Sequence, residues 1–304
     1  MAGRTRVRRT QKILPVAAVR RTAEQRVLGV HVSIAGGVAL SLERTRELGC
    51  NAMQIFSHNP RGWFVKPLGD GEAAEFRRLR EKYEIHAVIH TSYLINLAAK
   101  TAGLLEKSIA LMKAEMDRAD ALGIGHVILH TGSASGVDSH VARNTALGAL
   151  RVLARLGSWN CRILFENTAG ERGDITSKMA DLGFLLRETG PELAGGVCID
   201  TCHAFSAGYD ISKADGIERL IGEIEEHTGI DSVKCVHLND ARNAAGSGVD
   251  RHEHIGMGRI GDEGIGLFVN HPKLRRLPFI LETPKKTEDD DPTNLARVRK
   301  MFMP

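Results

Sequence analysis

The sequence predicts an α/β fold, a single TIM-type (β/α)8 barrel in which eight parallel strands each lead into a helix. Three observations support this prediction. The 304 residues suit one such barrel, which typically needs about 250. Short apolar runs rich in β-branched residues alternate with longer stretches of helical periodicity. These strand-like runs recur eight times, and eight strand–helix repeats favour a closed barrel over an open sheet.

The eight predicted strands are apolar along most of their length and are bounded by polar or turn-forming residues. In chain order they read VLGVHVSI from Val27, AMQIFS from Ala52, HAVIHT from His86, HVILHT from His126, RILFENT from Arg162, VCIDTCH from Val197, VKCVHLND from Val233 and PFILETP from Pro278. Nearly continuous apolar strands are typical of a parallel sheet that is buried on both faces and connected by right-handed crossovers.

Amphipathic stretches between these runs predict the helices. The clearest are Val38 to Leu48, Glu72 to Tyr83, Leu104 to Leu122, Asp174 to Thr189 and Lys213 to Thr228. A doubly wound open sheet is the alternative arrangement of such units. No GxGxxG fingerprint follows the first strand, and this absence argues against a dinucleotide-binding protein.

The composition narrows the class of protein. Apolar residues make up 42% of the chain and charged residues 26%, as in a soluble domain with a large core. No apolar run approaches the roughly 20 residues that cross a bilayer, so we expect no membrane span. The five cysteines are odd in number and follow no secretory segment, which favours free thiols and a cytoplasmic location.

The first 26 residues form a basic head in which eight arginine or lysine side chains oppose one acid, Glu24. The net charge of the whole chain is only +4, so the head is distinctive. One interpretation is a flexible extension, residues 1–26, that precedes the barrel domain 27–304 and adds sequence-independent attraction to phosphates. An arginine-rich organelle leader and a dispensable tail are the alternatives, and both stay open.

Ionisable side chains stand at the ends of successive predicted strands. Because these ends converge on one mouth of a barrel, clustered carboxylates there would repel each other and lose hydration. Bound divalent cations would offset this repulsion and replace the lost hydration. A mixture of imidazole and carboxylate ligands suits zinc, and manganese and iron are the alternatives. The candidates are His90, His130, Glu166, Asp200, His203, His237 and Glu282 near strand ends, with Asp250 and His252 in the loop after strand seven.

Nine ligands are too many for one tetrahedral ion and suit two or three ions joined by bridging carboxylates, for which Glu166 and Asp200 are well placed. Clustered metals favour displacement at phosphorus, because they activate water and neutralise the leaving oxygen. A single histidine or carboxylate would more often be structural. Their coincidence at successive strand ends, where this fold carries its active sites, indicates a metal centre. His31, near the end of strand one, is expected to support a ligand.

The segments that carry these residues resemble the endonuclease IV family of apurinic/apyrimidinic endonucleases. The resemblance extends from about Val30 to Glu282. It is most specific in the two long segments that begin at Cys198 and His237. The matching segments are HVSIAGG at His31, HTSYLINLA at His90, ENTAG at Glu166, CIDTCHAFSAGYD at Cys198, HLNDARNAAGSGVDRHEHIGMGRIG at His237 and LET at Leu281.

The resemblance implies a (β/α)8 barrel with three zinc ions, and manganese is an alternative in part of the site. It implies that His90 and His130 bind the first ion, that Glu166 bridges to a second bound by Asp200, His237 and Glu282, and that His203, Asp250 and His252 bind the third. Glu166 and Glu282 are the residues we assign to catalysis.

The implied reaction is hydrolysis of the phosphodiester bond 5′ to an abasic site in double-stranded DNA, which leaves a 3′-hydroxyl. Cleaning of blocked 3′ ends is a related activity of the family. The expected protein is a monomer of the cytoplasm, associated with the nucleoid if the cell is prokaryotic.

The resemblance also implies DNA contacts by Arg61 in HNPRGW and by Tyr93 with Leu94 in HTSYL. Arginine can contact phosphate or enter the base stack, and apolar wedges can fill the gap at an abasic nucleotide. Packing beneath the loop is the alternative for Tyr93 and Leu94. Two departures stand out: His58 occupies a position that is basic in the family, and HTGSA from His130 replaces the common HPGSH.

Two other functions remain open. Divalent-metal sugar isomerases and epimerases place similar residues on the same barrel, but they usually need fewer ligands and a lysine or paired glutamates for proton transfer. A DNA-damage binding protein could use zinc only to hold its fold. Structural zinc sites are usually closed and often cysteine-rich, whereas the ligands predicted here face a barrel mouth.

Overall fold

Eight parallel strands close into a barrel within residues 26–303, the part of the chain that the computed structural model describes. They are β1 Val27–His31, β2 Ala52–Phe56, β3 His86–His90, β4 His126–Leu129, β5 Arg162–Glu166, β6 Ala194–Asp200, β7 Val233–His237 and β10 Pro278–Leu281. Each strand pairs in parallel with its neighbours, and β1 pairs with both β2 and β10, which closes the ring. The predicted barrel is confirmed.

Helices follow the strands and cover the outside of the barrel. Within the same residues they are α1 Val38–Glu47, α2 Glu72–Lys82, α3 Ala102–Leu122, α4 Ser139–Leu156, α5 Met179–Thr189, α6 Thr201–Ser206, α7 Ala214–His227, α8 Gly261–Asn270 and α9 Asp290–Met301. After β7 a short ribbon pairs β8, Asp240–Ala241, with β9, His252–Glu253, in antiparallel fashion. None of the helices in residues 26–303 has the length and apolar character needed to span a bilayer.

One predicted helix begins later than expected. The periodicity predicts a helix from Asp174, but α5 begins at Met179. The carboxylate of Asp174 accepts hydrogen bonds from the backbone N–H groups of Gly170 and Glu171 at 3.1 and 2.9 Å, and Asp174 forms a bridge to Ser133. These contacts stabilise a turn there, as short acidic side chains often do when they compete with a helix.

The centre of the barrel is filled by an apolar ring that takes one side chain from each strand. Its members are Val27, Ala52, Val88, Ile128, Leu164, Cys198, Cys235 and Ile280. A second, larger core lies between the strands and the helices. The barrel interior is therefore packed beneath its mouth, as is usual for this fold.

Arg26, which the sequence predicts to lie in the head, packs against the barrel instead. Its guanidinium donates hydrogen bonds to the carbonyl oxygens of Val269 and Arg275 at 2.7 and 2.8 Å. It also lies 4.7 Å from the centroid of the Phe302 ring. The barrel therefore includes Arg26, and the rest of the predicted extension lies outside the described residues.

Candidate metal centre at the barrel mouth

A ring of polar side chains lies one layer above the apolar ring. Since successive strand residues point to opposite faces, a residue two positions after an inward-pointing one also points inward. This spacing pairs Gln54 with Ala52, His90 with Val88, His130 with Ile128, Glu166 with Leu164, Asp200 with Cys198, His237 with Cys235 and Glu282 with Ile280. The alternation within each strand thus delivers the predicted strand-end residues to one mouth.

The first group of side chains gathers around Glu166, which is fully buried. One of its oxygens, Oε2, lies 3.2 Å from Nε2 of His90 and 3.0 Å from Nε2 of His130. Burial alone would raise the pKa of Glu166, but the nearby imidazoles of His130 and His237 hold that pKa well below its ordinary value. Glu166 is therefore an ionised carboxylate, as a metal ligand must be.

The second group joins the other oxygen of Glu166 to the neighbouring strands. Nδ1 of His237 lies 2.8 Å from Oε1 of Glu166, 3.3 Å from Oε2 of Glu282 and 3.9 Å from Oδ2 of Asp200. The pKa of Glu282 is also well below its ordinary value, because His237 and His31 oppose the effect of burial. Three carboxylates and one imidazole thus converge on a single point.

Gln54 decides which nitrogen of His237 is free. The side-chain amide of Gln54 donates to Oε1 of Glu282 at 2.5 Å, which leaves its oxygen 2.7 Å from Nε2 of His237. Nε2 must then carry a proton, and Nδ1 is the nitrogen that faces the three carboxylates. Without an ion, Glu166 and Glu282 raise the pKa of His237 well above its ordinary value, and a cation that displaces the proton from Nδ1 would take that nitrogen as a ligand. His31 lies 3.0 Å from the same amide nitrogen, in the supporting position that the sequence predicts for it.

The third group lies at the open side of the mouth. Nε2 of His203 is 3.2 Å from Oδ1 of Asp250, and Nε2 of His252 is 3.4 Å from the same oxygen. Asp200 also belongs here, since its Oδ2 lies 3.6 Å from Nε2 of His252. Asp200 caps the short helix α6 by accepting a hydrogen bond from the N–H of His203 at 2.8 Å. One carboxylate therefore starts the helix that carries the next ligand candidate.

Three histidines share an arrangement that favours a cation. Nδ1 of His90, His203 and His252 lies 2.8 to 3.0 Å from a backbone carbonyl oxygen, so Nδ1 carries a proton and Nε2 is the nitrogen that can bind an ion. Each Nε2 faces a carboxylate oxygen of Glu166 or Asp250. For His203 and His252 this nitrogen is buried without a hydrogen-bond partner. An imidazole nitrogen can face a carboxylate at these distances only when a proton or a metal cation lies between them. Without an ion, the carboxylates raise the pKa of His90 and of His203, and a metal cation would replace the proton on Nε2.

The fit to divalent ions extends to the whole set. All nine candidates lie at the mouth, and their ligand atoms form overlapping groups within 4.8 Å. Four of the nine candidates are carboxylates, namely Glu166, Asp200, Asp250 and Glu282. In the described part of the chain, all their ion-pair partners are histidines. The groups are His90, His130 and Glu166; Glu166, Asp200, His237 and Glu282; Asp200, His203 and His252; Cys202, Asp250 and His252; and Cys198, Cys235 and His237, whose two thiols belong to the apolar ring.

Several supporting residues were not identified from the sequence. Asn239 donates from its amide to Oδ2 of Asp200 at 2.6 Å and accepts from the N–H of Glu282 at 2.8 Å. Asn167 holds the backbone of Asp200 from the other side, at 2.7 and 3.0 Å. Gln54 carries no charge, but its position two residues after Ala52 in an apolar strand was a usable signal.

The three predicted DNA contacts differ in exposure. Arg61 is exposed in the loop between β2 and α2. Tyr93 is 66% exposed, and its ring lies 5.1 Å from the Phe56 ring centre beside the opening lined by His90, His130 and His252. Leu94 is only partly exposed and packs against the main core. Packing, the alternative interpretation, therefore describes Leu94 better than Tyr93.

The two departures from the family pattern have clear structural settings. His58 is buried, with its Nε2 3.4 Å from the carboxylate of Glu115, so its imidazole is not displayed to solvent as a phosphate contact would be. In HTGSA, Gly132 adopts a φ of +123°, and a Cβ there would lie 2.2 Å from the side-chain oxygen of Asn96. Asn96 also accepts a hydrogen bond from the N–H of Ser133 at 3.2 Å, which stabilises the loop.

Comparisons with known proteins agree with this geometry. A family model described as a xylose isomerase-like TIM barrel matches residues 42–302. The chain is 39% identical over 277 residues to the probable endonuclease 4 of Methanoculleus marisnigri, a match that covers 90% of this chain and 98% of that protein. The crystal structure of endonuclease IV from Thermus thermophilus matches with a TM-score of 0.80 and 37% identity, covering 91% of this chain and 98% of that one.

A more distant likeness concerns the fold alone. The D-allulose 3-epimerase from Methylomonas sp. matches with a TM-score of 0.63 but only 16% identity, over 91% of this chain and 98% of that one. At this level of identity the barrel is shared, and the chemistry of the mouth has to be judged from the residues themselves.

Proposed function

Because the chain belongs to the endonuclease IV family, we propose that it is a zinc-dependent DNA-repair endonuclease. Its substrate is double-stranded DNA with an abasic site, and it hydrolyses the phosphodiester bond on the 5′ side to leave a 3′-hydroxyl. The observation that carries this proposal is the convergence of nine imidazole and carboxylate side chains in overlapping groups at one barrel mouth. We also propose that the enzyme acts as a monomer, because one chain supplies all nine.

Zinc fits the donor set, which mixes neutral imidazole with ionised carboxylate. In this proposal His90 and His130 hold one ion, and Glu166 is shared between it and a second. Asp200, His237 and Glu282 complete the second group, and His203, Asp250 and His252 hold a third ion. Manganese is an alternative in part of the site. When bound, the ions supply Lewis-acid stabilisation of the phosphate oxygens and activation of the attacking water.

The residues of the chain have separate tasks in this reaction. Glu166 is fully buried, and its two oxygens face different groups, so it fixes their separation. Glu282 is 18% exposed at its side chain and has Oε1 held by Gln54, so Oε2 stays turned toward the second group, 3.3 Å from Nδ1 of His237, at the side of that group that is open to water. For these reasons Glu166 and Glu282 are the residues to which we assign catalytic roles.

Recognition of the lesion is proposed for the exposed residues of the adjoining loops. An abasic nucleotide lacks the stacking of a base, so it is extruded at a lower cost than a normal nucleotide. The exposed ring of Tyr93 can fill or flank the gap, and Arg61 can contact the backbone phosphates. Leu94, which is half-buried, would support Tyr93 from beneath.

The test is cleavage of a labelled duplex with one abasic-site analogue, combined with measurement of bound metal. Zinc-loaded wild type should cut on the 5′ side of the analogue, and the Glu166→Gln variant should lose this activity while it stays folded. Glu106→Gln, an exposed glutamate on α3, is the matched control and should cut like wild type. Folded, zinc-loaded wild type that leaves the duplex intact would overturn the proposal.

The same experiment separates the two other functions. Tight binding of the abasic duplex without cleavage would indicate a DNA-damage binding protein. Neither binding nor cleavage would direct attention to small carbohydrates and the sugar isomerase or epimerase activity.

A further inference from the structure

Asp240 is a fully buried carboxylate that lies at the mouth but belongs to none of the ligand groups. Its two oxygens accept hydrogen bonds from five backbone N–H groups. Oδ2 accepts from Gly256 at 2.9 Å and Gly258 at 3.0 Å, and Oδ1 accepts from Ala241 at 2.8 Å and Ile260 at 3.0 Å. The N–H of Gly261 lies 3.3 Å from both oxygens.

These donors identify what Asp240 holds. Four of the five belong to residues 256–261, the returning end of the loop that carries Asp250 and His252. The outgoing end is β8, which begins at Asp240 itself and pairs with β9 so that Ala241 lies opposite His252. Asp240 therefore joins the two ends of this loop at its neck.

The local sequence fits this role. A Cβ at Gly258 would lie 2.4 Å from Oδ1 of Asp240 and 2.5 Å from the carbonyl oxygen of Ala241. Gly256 adopts a φ of +73°, in the left-handed region that glycine tolerates best. The glycines of GMGRIG thus allow the backbone to approach the carboxylate closely.

Burial of a carboxylate is costly unless hydrogen bonds replace its lost hydration. Among the described residues, no lysine, arginine or histidine forms an ion pair with Asp240 within 4.0 Å, whereas each proposed ligand carboxylate pairs with histidine. The backbone N–H groups replace that hydration, and they do so only when the loop adopts this conformation. The charge of Asp240 is therefore coupled to the shape of the loop.

We infer that Asp240 is a positioning residue that presets Asp250 and His252 for the third ion before any ion binds. The inference rests on the proposed function, since it concerns how one of the proposed zinc groups is assembled. Partners of metal ligands typically change metal affinity by about 10- to 100-fold when they are replaced, and Asp240 acts on two ligands at once.

The first test measures zinc per chain and its release to a graded series of chelator concentrations. In Asp240→Asn, the amide nitrogen repels at least two of the N–H donors whichever way the side chain is turned. We expect one zinc per chain to bind about 10- to 100-fold more weakly, with the others unchanged. His252→Ala provides the reference, because it removes a ligand of the same ion.

Asp262→Asn is the matched control. Asp262 approaches the same loop near Gly256, but its carboxylate is bound by Arg297 at 2.7 and 2.5 Å rather than by the N–H groups of the loop. This variant should keep full zinc affinity. If His252→Ala loses one zinc while Asp240→Asn keeps it at full affinity, the inference is wrong. If His252→Ala itself has the zinc content of wild type, the proposed function fails at this group.

A second measurement needs no variant and so does not depend on the folding of Asp240→Asn. Amide hydrogen exchange on full-length wild type, before and after zinc is removed, reports whether the loop is preset. We expect the N–H groups of Gly258, Ile260 and Gly261 to stay protected after zinc removal. Loss of their protection together with the metal would overturn the inference, because the ion would then be what orders the loop.

Discussion

A buried pair beneath the mouth loops gives the most quantitative prediction. Glu115 on α3 is 1% exposed, and its Oε1 accepts a hydrogen bond from the N–H of Ser92 at 2.8 Å and lies 3.4 Å from Nε2 of His58. Nδ1 of His58 donates to the carbonyl oxygen of Asn59 at 2.8 Å, so Nε2 needs a donor. A protonated Glu115 supplies one.

Burial sets the protonation of both groups in opposite directions. It raises the pKa of Glu115 to about 7 from an ordinary 4.5 and, together with Arg118, lowers the pKa of His58 to about 4 from 6.5. Between about pH 4.5 and 6.5 the folded pair is therefore neutral, whereas the unfolded chain has an ionised glutamate and a protonated histidine.

The two effects on stability have opposite signs. For Glu115 the folded state binds the extra proton, so its contribution to the free energy of unfolding falls as pH rises from about 4.5 to 7. For His58 the unfolded state binds the extra proton, so its contribution rises from about pH 4 to 6.5. Each slope is about 1.4 kcal/mol per pH unit, and the two cancel over most of this range.

Glu115→Gln removes only the falling contribution. Both contacts are made by Oε1, so a glutamine that turns its oxygen toward the N–H of Ser92 keeps that hydrogen bond and loses the donor to His58. The lost donor adds an offset that does not depend on pH. Relative to wild type, the difference in the free energy of unfolding should therefore increase by about 1.4 kcal/mol per pH unit from about pH 4.5 to 7. From pH 5.5 to 7 the variant should gain about 2 kcal/mol.

Urea unfolding of both zinc-loaded proteins, followed by tryptophan fluorescence between pH 5.5 and 8, measures this difference. The subtraction cancels contributions from the metal ligands, which both proteins share. His58→Asn is the control and should show the opposite trend below about pH 6.5. A difference between Glu115→Gln and wild type that does not change with pH would refute the reasoning, because Glu115 would then be ionised in the folded protein.

Three further predictions follow from the contacts at the mouth. Gln54→Leu should weaken the second zinc group by about 10- to 100-fold, because His237 loses the acceptor that fixes its proton on Nε2; unchanged zinc release to chelator would contradict this. Tyr93→Ala should weaken binding of the abasic duplex by roughly 5- to 150-fold, the equivalent of one lost stacking contact, and equal binding in a fluorescence titration would remove Tyr93 from the interface. Gly258→Ala should destabilise the protein by about 1–3 kcal/mol and lower zinc content together. Gly266→Ala is the control inside α8, where a Cβ meets open space; it should leave zinc content unchanged and raise stability by about 0.5–1 kcal/mol.

The strand ends were readable from the sequence because barrel topology and strand alternation act on the same residues. Glu166 and His237 each end an apolar run, and the closure of the barrel brings them within 2.8 Å. Sequence spacing alone did not predict the order of helices and turns around Asp174, since a side chain that binds its own backbone overrides the periodicity.

The supporting residues were harder to find for a different reason. Gln54 and Asn239 act through amide geometry, which leaves no charge pattern along the chain. Asp240 binds N–H groups that lie up to 21 residues further on, and backbone donors have no residue type to recognise. The identity of the ligands was thus accessible from the sequence, whereas the contacts that orient them required the structure.

The apolar ring below the ligand residues closes the barrel interior on one side, so the metal centre is accessible only from the mouth. Its eight side chains, from Val27 to Ile280, close the barrel axis beneath the polar ring, so ions, water and DNA must all pass through the mouth. DNA bound across the mouth would therefore block the exit of the ions bound beneath it. Zinc should therefore be released to a chelator more slowly while abasic DNA is bound. The substrate itself would then help to retain the ions that are used to cleave it.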